Sequence, residues 1–179
     1  MPRAGKDMSV NMEVSFEEAF NGCEKRVTVR VPGKPESETL TVKVPAGAVN
    51  NGRIRLRGHG APGENGGANG DLLITTKIKQ HPTYKRDGAD VLMEVPVSID
   101  TAALGATVQI NTPDGKKARV KVPAGCQDGT ELKLSGKGAP KLKGEGNGNL
   151  RITVRVRVPE TLNDKQREAL EAFAAASEE

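Results

Sequence analysis

Tryptophan is absent from these 179 residues, tyrosine occurs once and phenylalanine three times. A groove for single-stranded nucleic acid stacks bases on aromatic faces, and sugar sites use the same flat surfaces, so the chain is poorly equipped for either ligand. Cysteine occurs only at Cys23 and Cys126, without a CxxC, and histidine only at His59 and His81. That excludes a disulfide framework and leaves no metal-ligand spacing; two unpaired thiols in a reducing compartment are expected. No apolar run approaches the roughly 20 residues that span a bilayer, and the opening MPRAGKDMSV lacks the apolar centre of a signal peptide. A cytoplasmic chain with no membrane partner, cofactor or metal is expected.

The formal net charge is +4, which raises the question of nucleic acid. The basic residues of RIRLR (53–57) and RITVRVRV (151–158) alternate with apolar ones. Alternation of that kind is the solvent face of an amphipathic strand, with Ile54, Leu56, Ile152, Val154, Val156 and Val158 on the other face. No nucleic-acid partner is expected. With so few aromatics, the cores must be built from Val, Ile and Leu.

What is present is a duplication. VKVPAG stands at 42–47 and again at 120–125, and the match continues without a gap at an offset of 78 (Val42 against Val120). Leu56 falls on Leu134, Gly60-Ala61-Pro62 on Gly138-Ala139-Pro140, Asn69-Gly70 on Asn147-Gly148, and Ile74-Thr75 on Ile152-Thr153. Upstream, SFEEAFNG (15–22) echoes SIDTAALG (98–105) at an offset of 83. Two domains of one fold in tandem follow.

Period-two alternation and β-branched runs predict strands at 27–31, 39–44, 53–56, 72–78, 91–98, 107–110, 118–122, 131–134 and 150–158. Pro32-Gly33, Asn51-Gly52, Asp87-Gly88, Asp114-Gly115 and Asp128-Gly129 separate several of them. Ser15 followed by Glu18 reads as a capping box, Asn21-Gly22 as the stop of one short helix, and Ser98 to Gly105 as the same device repeated. Asn163 with Gln166 caps a longer helix, DKQREALEAFAAA, whose apolar stripe must cover something. The fold class is mainly all-β: two small sandwich-like domains plus a C-terminal α-helix.

No catalytic constellation stands out, and no enzyme is expected. The glycine-rich stretches 58–70 and 136–148 lack GxxxxGK[ST] and lead into strands, so they read as hairpin loops. Asp71 becomes Asn149 in the second copy, which argues against a repeated carboxylate doing chemistry.

The ordered set SFEEAFNG, VKVPAGAVNNGRIRLRGHG, NGDLLITTKIKQHP, YKRDGADVLMEVPVS, ALGATVQINTPDGKKARVKVPAG, LKLSGKGAPKLKGEGNGNL and VRVPETLNDKQREALEAF resembles the C-terminal substrate-binding region of the DnaJ family of J-domain co-chaperones. The resemblance implies two β domains, 7–84 and 85–159, and a dimerisation helix, 160–179. It implies a V-shaped homodimer that holds unfolded polypeptide clients, prevents their aggregation and passes them to a DnaK-type ATPase chaperone. Positions matching Met8, Val27, Val29 and Tyr84 line the client groove in that family. Lys25 and Arg26 match basic residues that receive the partner chaperone's acidic tail. Leu162, Leu170 and Phe173 are the expected dimer contact. The zinc-binding CxxCxGxG repeats are missing, with only PGKPESE between Val31 and Thr39, and His81-Pro82-Thr83 is not the His-Pro-Asp of a J-domain. The chain thus resembles the zinc-finger-free type without its J-domain. A tandem β-module for carbohydrate or nucleic acid, or a scaffold, is the alternative.

Overall fold

The computed structural model describes residues 1–178. Its first half runs β1 (Met8–Val14), α1 (Phe16–Asn21), β2 (Cys23–Val29), β3 (Glu38–Val44), β4 (Arg53–Leu56) and β5 (Leu72–Ile78). Its second half opens with β6 (Tyr84–Asp87) and then repeats the series as β7 (Asp90–Ser98), α2 (Ile99–Leu104), β8 (Ala106–Asn111), β9 (Lys117–Val122), β10 (Glu131–Leu134) and β11 (Leu150–Arg157), before α3 (Asp164–Ala176). The first unit is a β1-β5-β4 sheet with a β2-β3 hairpin; the second is a β10-β11-β7-β6 sheet with a β8-β9 hairpin. The chain is mainly β.

The registers repeat as strictly as the sequence. Met8 lies beside Leu72 in the parallel β1-β5 pair and Val91 beside Leu150 in β7-β11. Val27 faces Leu40 across one hairpin, and Ile110 faces Ala118 across the other. Every position in these strands therefore has a structural counterpart. Alternate residues point inward, and the first core gathers Val14, Val42, Leu72 and Ile74, all at 0 % exposure.

The repeated VPAG turn serves the short helix. Gly47 N–H donates to the Ala19 and Phe20 carbonyls at 2.9 and 3.2 Å, and Gly125 N–H to that of Ala103 at 3.1 Å, so each turn closes a helix C-terminus. Gly22 and Gly105 end the helices at φ 77° in both units, and a Cβ on either would lie 2.8 Å from a backbone nitrogen of that turn. The capping box of α1 is complete, with Ser15 Oγ accepting from Glu18 N–H at 3.1 Å and Glu18 Oε1 from Ser15 N–H at 2.9 Å. At α2 the box is not repeated: Thr101 replaces the glutamate, and Ser98 Oγ bonds Thr101 Oγ1 at 3.0 Å instead. Asn163 and Gln166 form the expected box on α3.

Two strands escaped the sequence reading, β1 and β6. Tyr84 pairs with Met93, so the expected division after residue 84 must move ahead of it: Tyr84 belongs to the second sheet. Val158 lies beyond β11 and is 75 % exposed rather than inward-facing. Cys23 and Cys126 are both free thiols. Among the described residues no helix is long and apolar enough to cross a membrane.

The units meet end to end. A Cβ on Gly47 would fall 2.0 Å from the Pro140 carbonyl oxygen of the second unit, whereas one on Gly125, also at positive φ, would meet nothing within 4 Å. Gly125→Ala is expected to cost only the left-handed conformation, about 1–2 kcal/mol. Gly47→Ala must add the clash, so its thermal midpoint should fall clearly further. Equal midpoints for the two variants would deny the contact.

Candidate functional site

Helix α1 is built to serve both units. Ala19 turns into the first core at 0 % exposure, while Phe16 and Phe20, one turn apart, enter the core of the second unit at 3 % and 5 %. There they join Val91, Met93 and Ile110, which are 0 %, 8 % and 6 % exposed. Phe16 stacks on Tyr84 with centroids 5.4 Å apart and on Phe20 at 5.9 Å. His81 closes the joint: its Nδ1 accepts from the N–H groups of Thr83 and Tyr84 at 3.0 and 3.1 Å, which leaves Nε2 to donate to Glu17 at 3.0 Å. Arg86 donates from Nη1 to the Ala48 carbonyl and from Nη2 to that of Gly47, each at 3.2 Å, and its burial lowers the guanidinium pKa.

The first unit has the same surface without the cover. The counterparts of Val91, Met93 and Ile110 are Met8, Val10 and Val27. These three, with Leu40, Ile54 and Leu56, are only half-buried against the first core. A band of aliphatic and thioether side chains is left open at the end of the sandwich opposite α1. Burying such a side chain from full exposure is worth roughly 1.5–3 kcal/mol, and these half-buried ones would gain about the remaining half. Strand edges flank the band: among the described residues β1 pairs only with β5, and β2 only with β3. In a parallel ladder alternate residues face each neighbour. Met8 N–H bonds Asp71 on the β5 side at 2.8 Å, so Ser9, Asn11 and Glu13 face the free edge.

The structure gathers Met8, Val27 and Val29 into one cluster. Val29 is 3 % exposed and belongs to the buried core beneath the half-buried band. Tyr84 stands apart, in the second cluster, with its hydroxyl donating to the Asn111 carbonyl at 2.6 Å and its pKa raised first by burial. Lys25 is committed locally: its Nζ donates to the Glu13 carbonyl at 2.7 Å and pairs with Glu18 at 3.1 Å. Arg26 is exposed, with no ion pair among the described residues. On α3 no residue is buried; Leu162 and Leu170 are half-buried near Ile99, and Phe173 is 69 % exposed. Val10, Leu40, Ile54 and Leu56 complete the half-buried band. Alternation with Met8 marks Val10 in the sequence, while Leu40, Ile54 and Leu56 are half-buried in the first unit just as Ala118, Leu132 and Leu134 are in the second.

The glycine-rich loops are structural. Asp71 accepts from Gly58 N–H at 2.9 Å and Arg55 Nε at 2.6 Å, and its own N–H donates to Asp7 at 2.7 Å. Asn149 does the same work, accepting from Gly136 N–H at 3.2 Å and donating to Asp90 at 2.7 Å. The Gly58 N–H first, then Arg55, lowers the Asp71 pKa. A lowered carboxyl pKa stabilises the fold above the ordinary aspartate range and ceases to do so as pH falls through the lowered value. Asp71→Asn is therefore expected to lower the midpoint at neutral pH and to match the parent in acid. A difference that persists in acid would place the effect in packing.

The family model described as "DnaJ C terminal domain" matches residues 8–159. The chain is 49 % identical over 142 residues to the Chaperone protein DnaJ of Latilactobacillus sakei subsp. sakei (strain 23K), covering 79 % of this chain and 37 % of that protein. It is 50 % identical over 141 residues to that of Natronomonas pharaonis, with coverage of 79 % and 37 %. With the protein of the same name from Acetivibrio thermocellus it shares 35 % identity over 240 residues, covering 97 % of this chain and 62 % of the relative. The chain thus spans 37 % of the length of the relatives it matches first.

Proposed function

The chain belongs to the DnaJ C-terminal domain family, and we propose from that premise that it binds non-native polypeptides in the groove of its first unit, prevents their aggregation and delivers them to a DnaK-type ATPase chaperone. One observation carries the choice of site: Met8, Val10 and Val27 are half-exposed in the first unit, while their counterparts Val91, Met93 and Ile110 are sealed in the second. Unpaired strand edges beside an apolar groove suit an extended segment of any sequence, with backbone bonds supplying affinity and the groove taking one side chain. Met8 adds adaptability, since a thioether chain fits varied shapes. The test is light scattering from a chemically denatured client diluted with and without the chain. Unchanged scattering at a several-fold excess of chain would sink the proposal.

One groove of this size binds weakly, and a dimer gains by engaging two segments of one client. The dimer contact is proposed on Leu162 and on α3, where Phe173 stands exposed one turn beyond the half-buried Leu170. Deleting residues 161–179 is expected to give a folded monomer by light scattering, with at least a tenfold weaker hold on a client that carries two segments. A dimer after the deletion would place the contact elsewhere. The acidic tail of the partner chaperone is proposed to meet Arg26, with Lys25 adding charge already shared with Glu18. Exposed attraction of this kind fades with salt.

A further inference from the structure

Asn-Gly occurs five times, at 21–22, 51–52, 65–66, 69–70 and 147–148. In each pair the glycine nitrogen can attack the asparagine side-chain carbonyl, because no Cβ hinders its approach. The fold blocks four of the five. Gly22 N–H donates to the Glu18 carbonyl at 2.9 Å, Gly52 N–H to that of Val49 at 3.1 Å, and Gly70 and Gly148 N–H to those of Ala61 and Ala139 at 2.9 Å each. A nitrogen so bonded must first give up its partner. The backbone is also crowded there, since a Cβ on any of these four glycines would fall between 2.2 and 3.0 Å from another backbone atom. Gly66 differs on both counts. Its N–H has no partner among the described residues, and a Cβ on it would meet nothing within 4 Å. Asn65 and Gly66 are exposed, at φ 50° and 79°, and Gly67 N–H closes on the Glu64 carbonyl at 2.9 Å. They are the central pair of a type I′ turn, a geometry that asks no hydrogen bond of the Gly66 N–H.

We propose that Asn65 is a self-modification site, converting without an enzyme to aspartate and isoaspartate, and that the conversion releases a clasp which this turn closes. The Gly66 nitrogen gives its proton to hydroxide from the solvent and bonds to Asn65 Cγ; the side-chain NH2 takes a proton from water and departs as ammonia. The succinimide ring that results takes up water at either carbonyl. Opening at Cγ gives aspartate, while opening at the main-chain carbonyl leaves the chain running through Cβ and Cγ as isoaspartate. Isoaspartate lengthens the backbone by one methylene inside a two-residue turn. That turn sets the register of the loop against the segment leading into β1. Arg3 N–H donates to the Glu64 carbonyl at 3.0 Å and Glu64 N–H to that of Arg3 at 2.9 Å, while Gly5 N–H reaches Ala68 at 2.8 Å and Ala61 N–H reaches Lys6 at 2.9 Å. The fit is close, since a Cβ on Gly67 would lie 1.9 Å from the Arg3 carbonyl oxygen. The second unit clasps Ala89 in the same way, with Ala139 N–H donating to its carbonyl at 2.8 Å. There Lys143-Gly144 stands at the position of Asn65-Gly66, so that clasp has no such point of release.

The test is incubation of the full chain in mildly alkaline buffer made with heavy-oxygen water, followed by peptide mapping in a mass spectrometer with fragmentation that separates isoaspartate from aspartate. In the folded chain Asn65 is expected to lose its amide and take up heavy oxygen at least tenfold faster than Asn21, Asn51, Asn69 or Asn147. In denaturant the rates should draw together, because the protection of the other four comes from the fold. Comparable rates in the folded chain, another asparagine converting first, or an Asn65 that stays intact would overturn the site. The clasp is read by hydrogen exchange on the converted chain. Amide protection at Arg3, Gly5 and Glu64 should fall at least tenfold, while Ala139 and Gly148 keep theirs. Asn65→Gln, incubated alongside, should show neither change, because its larger ring closes far more slowly. Conversion to isoaspartate with unaltered protection at Arg3 and Glu64 would show that the turn does not register the clasp, and an equal loss of protection in Asn65→Gln would deny that conversion is the cause.

Discussion

Two carboxylates in the first groove, introduced as Val27→Asp with Leu40→Asp, are expected to abolish suppression of client aggregation while leaving the fold and the molecular mass intact. The two residues face each other across β2 and β3 and are half-buried, so water already reaches them. A charge that stays hydrated escapes the large penalty of burial, and the expected cost is about 1–2 kcal/mol, mostly like-charge repulsion and lost aliphatic contact. An apolar client side chain would have to strip that hydration to enter, so binding should fall at least a hundredfold. The control is the counterpart, Ile110→Asp. At 6 % exposure, packed among Val91 and Met93, it leaves an unpaired charge in the core and should cost 3 kcal/mol or more. Val29→Ser would be a poor test, because Val29 is core and its loss would confuse unfolding with lost binding. A folded Val27→Asp, Leu40→Asp chain that still protects its client would remove the site from this groove.

The contrast between those variants marks what the sequence can and cannot say. The duplication, the hairpin loops, the boxes at Ser15 and Asn163 and most strands were readable from period and punctuation, because each depends on neighbours in sequence. β1 alternates as cleanly as any strand, with Met8, Val10, Met12 and Val14 on one face, so its signal lies in the sequence itself. β6 is different. Tyr-Lys-Arg-Asp has no strand pattern and is extended because β7 offers it an edge. The groove is illegible for the same reason. Met8 and Val91, or Val10 and Met93, are chemically alike, and only the arrival of Phe16, Phe20 and Tyr84 decides which set is sealed. Tyr84 entered the expected site through resemblance, and its ring sits instead in the second unit's cluster.

That arrangement gives the two phenylalanines the largest expected effect on stability. Phe16→Ala and Phe20→Ala should each cost about 3–5 kcal/mol, the usual range for deleting a buried ring. For a chain of this length each should lower the midpoint by roughly 6–20 °C. The loss should be uneven. Neither ring belongs to the first unit's buried cluster, where only Ala19 of α1 takes part, so the first unit should keep most of its stability. The second unit loses its lid, and Val91, Met93 and Ile110 become as exposed as Met8, Val10 and Val27 are already. The second unit carries a partial analogue of this joint at its own far end, where Ile99 and Ala103 stand at the positions of Phe16 and Phe20 and Ile99 lies near the half-buried Leu162 and Leu170. Calorimetry of the Phe16→Ala, Phe20→Ala chain should therefore resolve two transitions where the parent shows one, with the earlier assigned to the second unit by hydrogen exchange at β7 and β11. A dye that reports apolar surface should bind the variant below that first transition and not the parent. One transition at the parental midpoint would mean that the rings do not couple the units.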